Sequence, residues 1–391
     1  MTALKKIYFD HNATTPVHEE VFEAMLPYLK DDWGNPSSIH WAGRGPKKAV
    51  EEAREKIAKL LNCTTLEVIF TSSGTESDNH AIKGLAYARK DKGNHIITTR
   101  VEHPAVLNTV KHLAKEGFEA TYLNVDSDGM IDLNELKGAI TPKTILITVM
   151  FANNETGVIF PVEEIGNIAK EKGITFHTDA VQAAGKVPID SQRLNADLLS
   201  ISGHKLYGPK GVGMLFARRG VRLVPLIHGG HHERNRRGGT ENVAGVVGLG
   251  KACEIAARDM ARETEEMLKL RERLEKGLLG KISHVKVNGH IEKRLPNTAN
   301  LSFEFVEGES LLLNLDMKGI AASSGSACTS GSLEPSHVLL AMGSTPELSH
   351  GSVRFSLGRS NTVEDIDFLI ETMPPIVERM RSMSPLYAGA K

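Results

Sequence analysis

Short apolar runs and helical patterns alternate along the first part of the chain, from about residue 51 to residue 217. The apolar runs predict strands at 67–70, 95–99, 120–123, 144–150, 175–178, 198–202 and 212–217. The helical patterns between them cover 46–61, 76–89, 105–116, 133–140 and 163–172. This alternation predicts right-handed βαβ units, and therefore an α/β fold whose mainly parallel sheet is covered by helices on both faces.

The second part of the chain has a different pattern. A long helix with a polar face is predicted at about 246–279, followed by a strand at 298–305, a helix at 310–317 and a strand at 353–356. A terminal helix begins at Val363, and Pro374 and Pro375 are expected to interrupt or kink it. We therefore expect a large α/β domain at 16–258 and a smaller α+β domain formed by 1–15 and 259–391.

Charge and hydropathy limit the class of protein. The 391 residues include 47 basic and 48 acidic side chains, which give a formal net charge of −1. This balance argues against a chain built mainly to coat nucleic acid or an anionic membrane. The chain has no run of about 18 apolar residues, and its first residues lack the apolar core of a signal peptide. A soluble, cytoplasmic protein with no nucleic-acid or membrane partner is therefore expected.

Three cysteines at wide spacings, Cys63, Cys253 and Cys328, fit neither a disulfide framework nor a zinc cluster, so no metal site is predicted. Cys63 and Cys253 lie in apolar patterns and are predicted to be small buried residues. Cys328 lies instead in a small, polar run at 321–333, where a thiol is poorly placed for packing. A nucleophilic role is favoured there, because such a thiolate can take an atom from a substrate and present it to another protein.

Lys205 follows the predicted strand 198–202 in a glycine-punctuated turn. Desolvation at the mouth of a buried strand lowers the pKa of an amine, and a neutral amine condenses with an aldehyde to form a Schiff base. The alternative is a surface-loop cation like Lys210, and the rest of the chain has to decide between the two.

A phosphate seat is the first of several candidate features that follow predicted strands. In the run 71–77, Gly74 permits close backbone approach and Thr75 offers a hydroxyl, while the start of the next helix presents free N–H groups. An ordinary helix N-cap is the alternative. Farther along, the cationic, glycine-rich run 229–240 offers a second phosphate clamp through Thr240, with a solvated loop as its alternative.

Ring contacts are offered by the next loops. His103, after strand 95–99, can stack on an aromatic ligand or move protons, or else cap a helix. Asn153, after strand 144–150, can donate to a ring oxygen, although asparagine pairs in turns are usually structural. Asp179 ends strand 175–178, and Gln182 lies about one helical turn beyond it.

Asp179 and Lys205 together indicate one cofactor. A carboxylate paired with a protonated pyridine nitrogen makes pyridoxal 5'-phosphate an electron sink, and a later lysine supplies its Schiff base. An N-cap of the next helix is the alternative for Asp179. Arg354 projects from a strand and can hold a substrate carboxylate with paired hydrogen bonds, assisted by Asn35; a surface salt bridge is the alternative for Arg354.

These motifs resemble those of the pyridoxal-phosphate-dependent cysteine desulfurases, most closely the nitrogen-fixation type called NifS, and the resemblance runs essentially from end to end. The matching segments are DHNATT at 10–15, GNPSS at 34–38, SGTES at 73–77, VEHP at 101–104, NNETG at 153–157, HTDAVQ at 177–182, GHK at 203–205, RGGT at 237–240, LPNTAN at 295–300 and SSGSACTS at 323–330. The long loop around Cys328 is similar to that of the first of the two desulfurase groups. The tail 385–391 does not resemble the end of the IscS enzymes that contacts their iron–sulfur scaffold.

The resemblance implies a fold-type-I pyridoxal-phosphate enzyme that works as a homodimer, with active sites at the subunit interface. It implies the following roles: Lys205 bonds the cofactor, His103 stacks on its ring and serves the thiols as acid and base, Asp179 pairs with the ring nitrogen, Asn153 and Gln182 contact the ring oxygen, Gly74, Thr75, Ser202 and His204 bind the phosphate together with Thr240 of the other subunit, Asn35 and Arg354 bind the substrate carboxylate, and Cys328 forms a persulfide.

The implied reaction converts L-cysteine to L-alanine and leaves a persulfide on Cys328, which supplies sulfur to an iron–sulfur scaffold protein or another acceptor. A selenocysteine lyase or another fold-type-I pyridoxal-phosphate enzyme, such as an aminotransferase, is the nearest alternative, but transamination needs no mobile thiol. A sulfur carrier without a cofactor, in which Cys328 is the working residue, is the alternative from a different class.

Overall fold

The computed structural model describes residues 5–324 and 334–388, so Cys328 lies outside the described residues. Within these ranges the strands are β1 Ile7–Tyr8, β2 Val68–Thr71, β3 His95–Thr99, β4 Glu119–Leu123, β5 Thr144–Thr148, β6 Thr175–Asp179, β7 Leu198–Ser202, β8 Gly213–Ala217, β9 Val285–Val287, β10 Thr298–Phe303, β11 Ile320–Ala321 and β12 Ser352–Ser356. The helices are α1 Glu19–Lys30, α2 Trp41–Leu61, α3 Gly74–Ala88, α4 Pro104–Lys115, α5 Leu133–Ala139, α6 Val162–Lys172, α7 His232–Asn235, α8 Val243–Lys281, α9 Gly308–Asp316, α10 His337–Ala341, α11 Pro346–His350, α12 Val363–Met383 and α13 Pro385–Ala388.

A seven-stranded sheet forms the centre of the larger part, with the strand order β2-β8-β7-β6-β5-β3-β4. Strand β8 runs antiparallel to both of its neighbours, and the other pairings in this sheet are parallel. Every residue of β3, β5, β6, β7 and β8 is buried, because helices cover both faces of the sheet. The prediction of an α/β fold with a mainly parallel sheet is therefore confirmed.

The smaller part is built on the antiparallel sheet β12-β10-β9. Strand β1, at the start of the chain, pairs in parallel with β11, so that Ile7 lies opposite Ile320. Ile7 and Phe9 belong to the same apolar cluster as Leu301 and Phe355. The N-terminal segment thus packs with the C-terminal elements, while the division into domains at 16–258 stays a prediction.

Helix α8 connects the two apolar cores. It begins at Val243, where the Asn242 side chain accepts a hydrogen bond from the N–H of Gly245, and it continues to Lys281. Its first half places Leu249 in the core beneath the large sheet, and its second half places Leu274 in the core of the smaller part. The predicted limits of 246–279 are therefore close, and the helix is a continuous link between the two cores.

The terminal helix corrects one prediction. Helix α12 runs without interruption from Val363 to Met383 and contains Pro374 and Pro375. Each proline removes one backbone hydrogen bond. Apolar side chains on both sides of them, among them Met373 and Ile376, are buried in the small core, and this burial holds the helix together across the prolines. Interruption at this pair was therefore the wrong expectation.

The two cysteines that the structure describes are packing residues, as predicted. Cys253 is fully buried in the large core, and Cys63 is half-buried against it. Burial raises the pKa of both thiols to about 12, so neither forms a thiolate at neutral pH.

Helices α2, α8 and α12 are the longest in the described ranges. None of the helices that the structure describes combines the length and the apolar character needed to cross a membrane.

Candidate active site

A cavity of about 300 Å³ opens at the carboxyl ends of β2, β5, β6 and β7. Because parallel strands end at one edge of a sheet, residues distant in sequence meet there. Nine of the predicted site residues line this cavity: Gly74, Thr75, His103, Asp179, Gln182, Ser202, His204, Lys205 and Arg354.

Lys205 lies at the end of a single helical turn, Gly203–Lys205, directly after β7. Its Nζ donates to the backbone carbonyl oxygens of Asn12 at 2.6 Å and Ala13 at 2.7 Å. Lys205 is half-buried and lines the cavity, unlike the exposed Lys210. The alternative of a surface-loop cation is therefore wrong for Lys205.

An anion seat is formed where β2 turns into α3. Ser73 is the N-cap of this helix, and its hydroxyl accepts a hydrogen bond from the N–H of Glu76. The first N–H groups of a helix have no partner within the helix and point out of its start, here at Gly74 and Thr75. An added Cβ on Gly74 would lie 2.6 Å from Val181 Cγ2, so glycine allows the start of α3 to pack closely against the turn after β6. The turn is thus both an N-cap and a place for a phosphate.

His204 and Ser202 bring polar groups to the same cavity from β7 and the turn after it. His204 Nδ1 lies 3.1 Å from the Thr14 hydroxyl. Burial, together with the charge of Lys205, lowers the pKa of His204 to about 4, so the ring is neutral at neutral pH.

Asp179 is the last residue of β6 and is buried. Its carboxylate accepts a hydrogen bond of 2.9 Å from the N–H of Val181, but the residues after it form turns and no helix. Burial raises the pKa of Asp179 to about 6. A buried carboxylate of this kind is stabilised when a cation binds beside it.

A second carboxyl group, Asp78 of α3, lines the cavity and was not predicted. Burial, and next the charge of Asp179, raise the pKa of Asp78 well above its usual range. Its Oδ1 has no hydrogen-bond partner among the described residues and lies 3.6 Å from His177 Nε2. We infer that Asp78 holds a proton, so that Asp179 is the member of the pair that ionises.

His103 is the N-cap of α4, and its Nδ1 accepts a hydrogen bond from the N–H of Ala105. Burial and the charge of Lys205 lower the pKa of His103 to about 4. Because Nδ1 is the acceptor, the neutral ring carries its hydrogen on Nε2. The predicted capping role and a position on the cavity therefore occur together.

Arg354 is buried on β12, at 2% exposure, which excludes a surface salt bridge. Its Nη2 donates to Asp10 Oδ1 at 2.7 Å and its Nη1 to the carbonyl oxygen of Asn154 at 2.9 Å. Its Nε has no hydrogen-bond partner among the described residues. Arg354 thus brings a buried cation with an unused donor to the cavity.

Three predicted residues do not line the cavity in this chain. The Asn153 amide is occupied inside its own loop, since Oδ1 accepts from the N–H groups of Glu155 and Thr156. Asn154, the next residue, lines the cavity instead. Asn35 and Thr240 are both exposed, and the Asn35 side chain accepts a hydrogen bond from the N–H of Ser37.

Asn12 and Asp10 also support the site, although no sequence pattern indicated a role for them. Asn12 supplies the carbonyl oxygen that receives Lys205 Nζ and Gln182 Nε2. Asp10 pairs with Arg354. Both residues belong to the segment 10–15, whose polar residues were quoted as a matching motif but given no role.

Known proteins are similar to this chain over most of its length. The family model described as Aminotransferase class-V matches residues 7–369. A protein named cysteine desulfurase IscS from Methanosarcina thermophila is 57% identical over 385 residues, which cover 98% of this chain and 95% of the relative.

Solved structures show the same fold. One titled NIFS-like protein is 40% identical, with a TM-score of 0.91, and the match covers 96% of this chain and 100% of that one. Another, titled SspA in complex with cysteine, is 39% identical with a TM-score of 0.81, and covers 90% of this chain and 99% of that one.

Proposed function

The chain belongs to the aminotransferase class-V family, and on that premise we propose that it is a pyridoxal-phosphate-dependent cysteine desulfurase. It converts L-cysteine to L-alanine and transfers the sulfur to Cys328 as a persulfide, which supplies sulfur for iron–sulfur cluster assembly. The observation that carries the proposal is the meeting of Lys205, Asp179 and the anion seat at Gly74 in one cavity. The cysteine-bound relative supports the choice of substrate.

The residues of the cavity fit pyridoxal phosphate. Ser73, Gly74 and Thr75 bring the N-terminus of α3 to the cavity, where its free N–H groups suit a phosphate. Ser202 and His204 add polar groups for the same phosphate. The buried carboxylate of Asp179 suits a protonated ring nitrogen, and Lys205 Nζ suits the aldehyde carbon.

Bound pyridoxal phosphate supplies an electron sink that acidifies the Cα–H bond of a joined amino acid and weakens its C–S bond. Asp179 holds the positive charge of the ring nitrogen in place. Lys205 Nζ carries the proton removed from the substrate Cα, and the carbonyl oxygens of Asn12 and Ala13 orient that amine. His103 can act as a hydrogen-bond donor through Nε2, because its Nδ1 already accepts a hydrogen bond from the N–H of Ala105.

The substrate carboxylate is assigned to Arg354, whose buried guanidinium has a donor to spare at Nε. The Cys328 thiolate attacks the sulfur of the substrate, a bond forms between the two sulfurs, and the C–S bond breaks with its electrons returned to carbon. A proton then completes alanine. The net change joins L-cysteine and the Cys328 thiol to give L-alanine and the Cys328 persulfide.

We assign the ring-oxygen contact to Asn154 rather than to Asn153. Asn154 lines the cavity, whereas the Asn153 amide is held inside its loop by Glu155, Thr156 and Val101. Gln182 keeps its proposed contact with the same oxygen, since it lines the cavity as well.

The active form is proposed to be a homodimer. Thr240 is exposed and does not line the cavity of its own chain, which suits a contribution to the site of the other subunit. Asn35 is likewise exposed and outside the cavity of its own chain, and it is proposed to bind the substrate carboxylate next to the interface. An iron–sulfur scaffold protein, or another sulfur acceptor, is the proposed recipient of the Cys328 sulfur.

The proposal is tested by exchanging the thiol. Cys328→Ala is expected to bind pyridoxal phosphate as the wild type does, while release of alanine and sulfide from L-cysteine falls by at least about a hundredfold, in the range of a lost nucleophile. Cys63→Ala is the matched control, because burial raises the pKa of that thiol and removes it from the chemistry. Desulfuration retained by the Cys328→Ala protein would contradict the persulfide step.

The same experiment addresses the rival activities. A selenocysteine lyase that needs no protein thiol would keep its turnover of selenocysteine after Cys328→Ala. An aminotransferase would likewise keep its turnover of an amino acid with a keto acid. A carrier without a cofactor would show no visible absorption band after addition of pyridoxal phosphate.

A further inference from the structure

Lys186 is a second lysine close to the cavity, and the mechanism above does not use it. It follows Gln182 by four residues in the turn after β6. Gly185, with a φ of 76°, and a hydrogen bond from the N–H of Lys186 to the Ala183 carbonyl oxygen fold this turn back on itself. The Lys186 amine therefore reaches back toward Gln182.

The Lys186 amine holds both oxygen atoms of Gln182. Its Nζ donates to the backbone carbonyl oxygen of Gln182 at 2.9 Å and to the side-chain Oε1 at 3.1 Å. On the other side of the amide, Gln182 Nε2 donates to the Asn12 carbonyl oxygen at 2.9 Å. A carbonyl oxygen can only accept, and an amine that faces two carbonyl oxygens donates to both whether or not it is protonated, so both neighbours demand the same orientation of the amide.

This orientation decides what Gln182 offers to a ligand. If the amide turned over, Oε1 would face the Asn12 carbonyl oxygen and Nε2 would face the Lys186 amine, so that two acceptors and two donors would oppose each other. With Oε1 held by Lys186, the group that Gln182 has left for the cavity is an N–H. A phenolic oxygen of a cofactor ring needs such a donor.

We propose that Lys186 is a positioning residue that locks the Gln182 amide so that it presents N–H, and not oxygen, to the ring oxygen of the cofactor. This rests on the proposed function, because it concerns the same cavity. Burial, followed by the charges of Lys205 and Arg354, lowers the pKa of Lys186 to about 7.

The test measures cofactor binding to apoprotein and the visible absorption band of the bound pyridoxal phosphate. Lys186→Met removes the donor and keeps the length of the side chain. We expect its Kd for pyridoxal phosphate to rise about fivefold to tenfold, as for one lost hydrogen bond, and the absorption band to move. Lys186→Arg, which can still donate to Oε1, should restore both values. Lys172→Met is the control, since Lys172 pairs with Glu171 on the exposed end of α6.

A double-mutant cycle separates positioning from general support of the fold. In a Gln182→Ala background the Lys186→Met exchange should add less than about twofold to the Kd, because the amide it positions is gone. Equal losses in both backgrounds, or an unmoved absorption band in Lys186→Met, would overturn the inference. Failure of the wild-type protein to bind pyridoxal phosphate would instead overturn the proposed function, and this inference with it.

Discussion

Two adjacent asparagines, Asn153 and Asn154, have different roles in the loop after β5. Asn153 uses its amide to close the loop after β5, with Oδ1 accepting from Glu155 and Thr156 and Nδ2 donating to the Val101 carbonyl oxygen at 3.0 Å. Asn154 lines the cavity and gives its backbone carbonyl oxygen to Arg354. One residue holds the loop, and its neighbour lines the cavity.

Exchanging each asparagine for alanine should therefore give opposite results. Asn153→Ala is expected to lower the free energy of unfolding by about 1–3 kcal/mol, because buried N–H groups of the loop lose their acceptor. Asn154→Ala should leave the thermal midpoint nearly unchanged and raise the Kd for pyridoxal phosphate about tenfold. Thermal denaturation and cofactor titration of both variants check this. Weaker binding in Asn153→Ala alone would contradict the assignment.

Glu102 makes stability depend on pH. It is fully buried, its carboxylate accepts hydrogen bonds from Thr99 and from the N–H of Met150, and burial raises its pKa to about 8 from an unfolded value near 4.5. The folded state therefore keeps a proton that the unfolded state has lost. Its contribution to stability is present below pH 4.5 and falls as the pH rises to about 8.

We expect Glu102→Gln to remove this dependence. The free energy of unfolding of the wild type should fall more steeply than that of the variant as the pH rises from about 5 to 8, by about 1.4 kcal/mol for each pH unit, and the thermal midpoint should fall with it. Thermal denaturation at a series of pH values measures both slopes. Parallel profiles would show that Glu102 ionises in the folded protein as it does in the unfolded chain.

The residue types at the ends of the predicted strands indicated most of the cavity from the sequence alone. Lys205, Asp179 and Gly74 were found because each follows a buried apolar run, and runs of that kind are visible in sequence. Asp78 and Lys186 were not found, because Asp78 lies inside a helix and Lys186 lies inside a turn. Only the folded structure brings them to the cavity or close to it. The choice between Asn153 and Asn154 depends on the loop conformation, which no pattern specifies.

At the scale of elements, the turn from β2 into α3 depends on the absence of a side chain at Gly74. A Cβ there would meet Val181 Cγ2 at 2.6 Å and Ser202 Cβ at 3.3 Å. These neighbours belong to the turn after β6 and to β7, so the contact joins three elements that carry the site. A side chain at this position would therefore push these elements apart.

Gly74→Ala is accordingly expected to weaken pyridoxal phosphate binding by at least about tenfold, because the added methyl group would collide with Val181 and displace the turns that form the phosphate seat. Gly138→Ala is the matched control, because Gly138 lies in α5 with nothing within 4 Å of an added Cβ. That exchange should be neutral or slightly stabilising. Isothermal titration of both apoproteins with the cofactor measures the difference, and equal affinities would rule out a phosphate seat at this turn.

Element limits followed from the sequence wherever burial and propensity agree, as in β3 and β7. The start of α12 at Val363 was also predicted, but the expected interruption was wrong, because the apolar face of the helix outweighs two prolines. The reversed direction of β8 also had no signature, because a fully buried strand has the same apolar pattern in either direction.

The whole molecule carries an exposed apolar region near the N-terminus. Three large side chains in this region are mostly exposed, namely Trp33 at 74%, Ile39 at 94% and Trp41 at 76%. Apolar side chains this exposed, near one another along the chain, are typical of an interaction surface. The proposed homodimer would cover them and would bring Thr240 of one subunit to the cavity of the other.

A charge placed in this region should break the dimer. Trp41→Glu is expected to shift the protein from twice the chain mass to the chain mass in sedimentation velocity, and to lower its affinity for pyridoxal phosphate because the site loses Thr240. Leu313→Glu is the control, since Leu313 is 66% exposed on α9. A monomeric wild-type protein with full cofactor affinity would contradict the proposed assembly.

Long-range pairs are the part of the molecule that sequence reasoning could not reach. Arg54 of α2 forms a buried, two-pronged ion pair with Glu233 of α7, and Arg354 pairs with Asp10 across almost the whole chain. Charged residues in a sequence indicate exposure far more often than such buried pairs. The Arg354–Asp10 pair joins the N-terminal segment to β12, where Arg354 lines the cavity, and the Arg54–Glu233 pair joins α2 to α7.

In the proposed function, Lys205 binds the aldehyde of pyridoxal phosphate. Borohydride reduction of the protein loaded with the cofactor, followed by peptide mass spectrometry, tests it most directly, because reduction makes the bond permanent. We predict one pyridoxyl group, on the peptide that contains Lys205. An adduct on Lys186 or on another lysine, or no adduct at all, would contradict the account.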